Sequence, residues 1–154
     1  IDPHCCYLLL RGLKTFPLRV AKQNETGLAV ARFLEKHPQV KKVYYPFLES
    51  HRHYAIAREQ MTGGGGVVTF EIKGTLTTSK KFLDALSLCY IGPSLGGVET
   101  LITHPALVSY YDYPRAERIK LGITDTLFRL AVGIEDADDI INDLASGLSA
   151  ATKR

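Results

Sequence analysis

Helical and strand-like periods alternate along the chain, no segment repeats, and no Pro/Gly/Ser linker is long enough to divide it. These observations predict a single α+β domain, a two-layer sandwich of about four largely antiparallel strands covered by four or five helices. Residues 18–36 contain no Pro and carry apolar Leu28, Ala31 and Leu34, so a helix should run there and stop before His37-Pro38. Residues 40–45 read as a strand. Ser50 is the expected N-cap of a second helix that places Tyr54, Ala57 and Met61 on one face and closes at Thr62-Gly63. Beyond the glycine run 63–66, Val67, Val68, Thr69, Phe70 and Ile72 have the β-branched or aromatic character of a strand, which Lys73-Gly74 ends. Thr78 or Ser79 is expected to cap a third helix, whose Phe82, Leu83 and Leu86 make a core-facing stripe. Residues 88–91 and 98–103 read as short strands separated by the Gly92-Pro93 turn, 114–121 as a short helix, and 127–132 as an alternating strand. The last helix is the clearest. Ala137, Ile140, Ile141, Leu144, Ala145 and Leu148 form one apolar stripe, and Asp136, Asp138 and Asp139 crowd the turn where the helix dipole favours negative charge.

The composition narrows the function classes. With 154 residues, 45% hydrophobic and 23% charged, the chain is an ordinary folded domain. A domain of this size buries roughly 70% of its unfolded surface, so neither disulfides nor a metal is needed to hold it together. Its uncharged apolar stretches, such as 63–70, fall well short of the roughly 20 residues that cross a bilayer, so no membrane partner is expected. The formal charge of +3 is interspersed along the chain, and nucleic acid is not implied. The opening IDPHCCYLLL lacks a basic leader, a cleavage pattern and a Met, which reads as an excised or processed fragment. Adjacent Cys5 and Cys6, with Cys89 in an apolar run, match no disulfide framework or C-x-x-C spacing, so a reducing compartment is expected.

Few residues invite chemistry. The glycine run 63–66 lacks the G-K-[ST] ending of a phosphate loop and leads from a helix into a strand, so its expected role is a helix C-cap and flexible connection. His51 and His53 have an H-x-H spacing but no third ligand nearby, and they read as surface histidines; no metal site is expected. His104, before Pro105, reads as a turn residue. Arg129 is the most informative. Alternation puts it with Leu127 and Ala131 on one side of a strand, where a guanidinium needs an anion. Asp125, Glu135 or Asp136 would make it structural; otherwise its planar fork suits a substrate carboxylate. The Ser94-Leu95-Gly96-Gly97 stretch, a hydroxyl with closely spaced amides, is the second candidate for holding a carboxylate or else a plain loop.

YLLLRGLKT, VYYP, QMTGGGG, SLGGVET and TLFRLAVGIED occur in that order over nearly the whole chain. Together they resemble the C-terminal part of the pyridoxal-phosphate enzymes of Cys/Met metabolism, the trans-sulfuration family. IGPSLGG, HPALVSY and the pattern from Asp125 to Asp136 are most similar to its plant-type cystathionine γ-synthase branch. The resemblance implies that residues 1–154 are the small substrate-closing domain of a fold-type I enzyme, the N-terminal cofactor-binding domain lying outside them. Arg129 and Ser94 match the residues that bind the substrate α-carboxylate, and Ser109 falls where relatives place a Ser or Thr near the substrate. Pyridoxal 5'-phosphate is the implied cofactor, held by the N-terminal domain with its S-x-T-K lysine, so neither catalytic nor cofactor-binding residues are expected here and the fragment alone should be inactive.

The implied reaction joins cysteine to an activated homoserine by γ-replacement to make cystathionine, in a homotetramer of the cytoplasm or plastid stroma. Pro93 departs from the Glu that γ-lyase relatives commonly carry before the Ser. The alternatives are a cystathionine γ-lyase, a β-lyase, a methionine γ-lyase-like enzyme, or a free-standing module without catalysis.

Overall fold

The computed structural model describes residues 1–152. Strands β1 (Val40–Tyr44), β2 (Val67–Ile72), β3 (Tyr90–Ile91), β4 (Leu101–Thr103) and β5 (Leu127–Ala131) form one sheet in the order β1-β2-β5-β4-β3. Neighbours are antiparallel except β3 and β4, which run parallel. Six helices accompany them: α1 (Pro3–Leu13), α2 (Phe16–Lys36), α3 (Tyr54–Gln60), α4 (Leu76–Asp84), α5 (Arg115–Lys120) and α6 (Ala137–Thr152). The expected α+β class holds, with five strands and one helix more than the patterns announced.

The core explains the topology. Phe128 and Leu130 of β5 are fully buried and pack with Phe70 of β2, Val30 and Leu34 of α2, Phe82 of α4, and Ile140, Leu144 and Leu148 of α6. Phe128 stacks on Phe70 at 5.5 Å between ring centroids and meets the edge of Phe82 at 4.9 Å, the offset and tilted geometries aromatic rings prefer. Alternation along β5 therefore sends Phe128 and Leu130 under the helices and Arg129 to the opposite face. The α6 stripe predicted from sequence is the buried one at Ile140, Leu144 and Leu148, joined by Asp143. That carboxylate is no misplaced charge: it accepts the amides of Ser87, Leu88 and Cys89 at 2.8–3.1 Å and the Ser87 hydroxyl at 2.9 Å, which pins 87–89 to α6.

Two local expectations need correction, and one helix is additional to those expected. The second helix does not start from Ser50, whose hydroxyl donates to Glu35 instead; α3 begins at Tyr54 after His53, buries only Ala57, and leaves Met61 exposed beyond its end. Helix α4 is capped at Thr75, and Thr78 serves as its third helical residue, with its hydroxyl accepting the Thr75 amide. Helix α1 carries no buried residue, so no core stripe announces it; Asp2, which accepts the amides of His4 and Cys5, and Pro3 at the first position start it.

The glycine run 63–66 is shaped by contact. A Cβ on Gly64 would lie 2.5 Å from the Tyr45 ring, and Gly65 takes φ +82°, the left-handed region where a side chain is costly. The Gly65 amide donates to Asn24 and its carbonyl accepts the buried Tyr45 hydroxyl, so the run joins α2 to β2 and its Gly65 amide is already committed. The expected helix C-cap falls instead on Met61, ahead of the run, and contacts to Tyr45 and Asn24 hold the connection that was expected to be flexible.

Candidate functional site

Arg129 sits in the middle of the central strand, in register with Thr69 of β2 and Thr103 of β4. Directly opposed residues share a sheet face, so the guanidinium rises between two threonines on the face away from Phe128. One terminal nitrogen donates to the carbonyls of Pro93 and Ser94, the latter at 3.1 Å, and reaches the Thr103 hydroxyl at 3.5 Å. The buried Nε has no partner. No carboxylate pairs with Arg129 among the described residues.

Each acid that could have made Arg129 structural is engaged elsewhere. Asp125 accepts from Nε and a terminal nitrogen of Arg115 at 2.8 and 2.7 Å, and from Arg118. Those two arginines hold its carboxyl below the usual carboxylate range, Arg115 contributing most. Glu135 accepts the Thr100 amide at 2.6 Å and its hydroxyl at 2.8 Å, while Asp136 accepts the Asp138 amide at the start of α6. Arg129 is therefore a half-buried cation balanced by dipoles alone, the electrostatic condition under which an incoming anion gains most.

The loop that carries Ser94 is anchored around this guanidinium. The Gly92 amide donates to Ile102 of β4 at 3.0 Å, Thr103 donates its hydroxyl to the Gly92 carbonyl, and Gln23 of α2 donates to the Gly97 carbonyl at 2.8 Å. Ser94 itself is exposed, and its carbonyl rather than its hydroxyl meets Arg129. Arg129 and the Ser94 backbone therefore lie within hydrogen-bond distance of one another. Ser109 is exposed in the turns of 105–113 and makes no hydrogen bond to either of them.

His104 is not the simple turn residue its Pro neighbour suggests. It is 1% exposed, its Nε2 donates to the Asp125 carbonyl at 3.0 Å, and its ring meets the edge of Phe128 at 5.0 Å. Burial pushes its pKa down, and Nδ1 lacks a partner. Gln23 and Thr103 escaped the sequence reading: a polar residue on the buried side of a helix and a Thr opposite Arg were the available signals. Among the described residues no group of three or more His, Cys, Asp or Glu is placed to hold a metal ion, and no helix is long and apolar enough to cross a membrane.

Residues 1–149 match the family described as Cys/Met metabolism PLP-dependent enzyme. The chain belongs to this family. It is 49% identical over 150 residues, 97% of its length, to cystathionine γ-synthase 1, chloroplastic, of Nicotiana tabacum, covering 28% of that protein. It is also 49% identical over 97% of its length to cystathionine γ-lyase of Bos taurus, covering 37% of it, and 46% identical over 96% to L-methionine γ-lyase of Fusobacterium nucleatum, covering 38%. The chain thus spans only 28–38% of the length of these Cys/Met-metabolism relatives.

The glycine run 63–66 does not wrap a phosphate: Tyr45 packs against Gly64 and Asn24 takes the Gly65 amide.

Proposed function

We propose that this chain is the substrate-closing C-terminal part of a pyridoxal-phosphate-dependent trans-sulfuration enzyme, and that Arg129 binds the α-carboxylate of its amino-acid substrate. The observation that carries this reading is the guanidinium with no acid of its own. Its present partners are backbone carbonyls of the 92–97 loop, oxygen atoms placed as a carboxylate's would be. A carboxylate in their place gains a formal charge for the same hydrogen-bond geometry, and fixing it fixes how the rest of the amino acid lies. Ser94 sits beside that point with its hydroxyl exposed, and Ser109 is retained as a further contact on resemblance alone.

The cofactor is held by an N-terminal domain outside residues 1–154. In support, α1 and the start of α2 leave Tyr7, Leu8, Leu9, Leu10, Leu13 and Phe16 at least half exposed, apolar surface suited to burial against further chain or a further subunit of a homotetramer. The reaction we favour is cystathionine γ-synthesis from cysteine and an activated homoserine. The tobacco relative bears that name, and its chloroplastic label supports a plastid location. Cystathionine γ-lysis is the second reading, because the bovine lyase is equally similar.

The test is Arg129→Ala in the full-length enzyme. KM should rise and kcat/KM fall by about 2–4 kcal/mol of lost positioning, and unchanged kinetics would remove the clamp role. Product analysis of the wild type, with cystathionine alone and with O-phosphohomoserine plus cysteine, separates lyase from synthase.

A further inference from the structure

We propose that the cleft between edge strand β1 and the turns of 50–53 is a binding site for a soluble phosphate monoester, separate from the Arg129 site. The cleft has a volume of about 490 Å3 and is lined by Lys42, Tyr44, Ser50, His51, Arg52 and His53. That volume is in the range of small-molecule sites. Two permanent cations and two imidazoles line it, with no carboxylate on the wall, more positive potential than a monoanion needs and a match for a dianion.

The arrangement is held in place by its surroundings. Lys42 lies with its Nζ 4.7 Å from the centroid of the Tyr44 ring, a cation–π contact that positions the ammonium without neutralising it. Tyr44 in turn donates its hydroxyl to the buried Glu71 at 3.0 Å, and Lys41 takes the other oxygen of that carboxylate, also at 3.0 Å. Glu71 is thereby occupied. Glu35, which lines the adjoining hollow, accepts the Ser50 hydroxyl. Neither Lys42 nor Arg52 forms an ion pair among the described residues.

The 45–54 turns are stapled through the backbone. Leu48 donates to the Tyr45 carbonyl at 3.1 Å, His51 to Leu48 at 2.9 Å and Tyr54 to His51 at 2.9 Å, with Tyr45 and Leu48 buried beneath. The His53 amide donates to Nδ1 of His51 at 3.3 Å, so in the neutral ring Nε2 carries the proton and is a hydrogen-bond donor. The two imidazole centroids are 6.0 Å apart. Partial burial lowers the His51 pKa first, and the neighbouring His53, Arg52 and Lys42 lower it further. A phosphate monoester would relieve that repulsion, with the Arg52 fork and the Lys42 ammonium on its oxygens.

The experiment is calorimetric titration of the cofactor-saturated, full-length protein with inorganic phosphate at constant ionic strength. Saturable binding is expected, weakened at least ten-fold in K42E/R52E and in the neutral pair K42Q/R52Q, and unaltered in Lys80→Glu on the exposed side of α4. Glycerol 3-phosphate should displace the phosphate. Thermal midpoints within a few degrees of wild type establish that both cleft variants fold; because the replaced side chains are exposed, this is the expected result. Absence of saturable binding, retention of it in both cleft variants, equal weakening by Lys80→Glu, or binding only to phosphatidylglycerol vesicles would overturn the proposal.

Discussion

Arg118 and Arg129 meet the same physical problem in opposite ways. Arg118 is buried at the end of α5 against Asp125, with a second hydrogen bond to the Ile123 carbonyl at 2.7 Å. Arg129, on the central strand, finds only carbonyls and a threonine hydroxyl among the described residues. A guanidinium with its own carboxylate is already neutralised and has little to gain from a ligand. One satisfied by dipoles keeps its charge available. On the role proposed for Arg129, the difference separates a strut from a binding group, although both are arginines within one short stretch of chain.

Substitutions at the two positions should therefore act on different quantities. The largest effect is expected in Arg129→Ala, where the loss given above corresponds to roughly 30- to 900-fold in kcat/KM, with the urea midpoint of the full-length enzyme close to wild type. Arg129→Lys should recover only part of it, since a point charge cannot reproduce the planar fork. Arg118→Ala should do the reverse, costing about 2 kcal/mol of stability in urea denaturation while kcat/KM of the folded fraction stays near wild type. If the two variants behaved alike, the distinction would be lost.

Asp143 sharpens the comparison from the acidic side, because it too is a buried charge satisfied by dipoles, yet four donors enclose it and no ligand could enter. Burial alone would raise its pKa, but the Cys89, Ser87 and Leu88 donors outweigh that and leave it lowered. Its folded value thus lies below the unfolded 3.8. Its stabilisation is fully present above that unfolded value and is lost as the pH falls through the folded one. Asp125 behaves in the same direction. Asp143→Asn should cost about 1–2 kcal/mol at neutral pH and make the acid limb of the stability curve shallower, as followed by denaturation at stepped pH. Ser94→Ala is expected to change least, by up to about 1 kcal/mol in kcat/KM, since a single neutral hydroxyl contact is at stake.

Much of this could be read from residue order, and the failures have definite causes. The α6 stripe, the β2 run and the β5 alternation were legible because each buries one face against the core, which imposes its period on the side chains. Helix α1 was missed because it buries nothing within this chain, so no period marks it. Ser50 was misread as a cap because a hydroxyl before a helix offers the same signal whether it meets an amide or, as here, Glu35. His104 was read from its Pro neighbour and proved to be a core residue, since burial comes from what packs on top, here Phe128 and the Asp125 carbonyl.

The order of amino acids by itself determined the α+β class, the family, and that Arg129 would stand on the opposite side of its strand from Phe128 and Leu130, because backbone periodicity and short motifs are local properties. Only the tertiary structure decided which acid each arginine would meet. Asp125, Glu135 and Asp136 are all close enough to Arg129 in sequence to have served, and the choice among them rested on β5 lying between β2 and β4, on α5 folding back over Asp125, and on the 92–97 loop closing above the guanidinium. Charge pairing depends on distances across the fold, and spacing along the chain does not encode them.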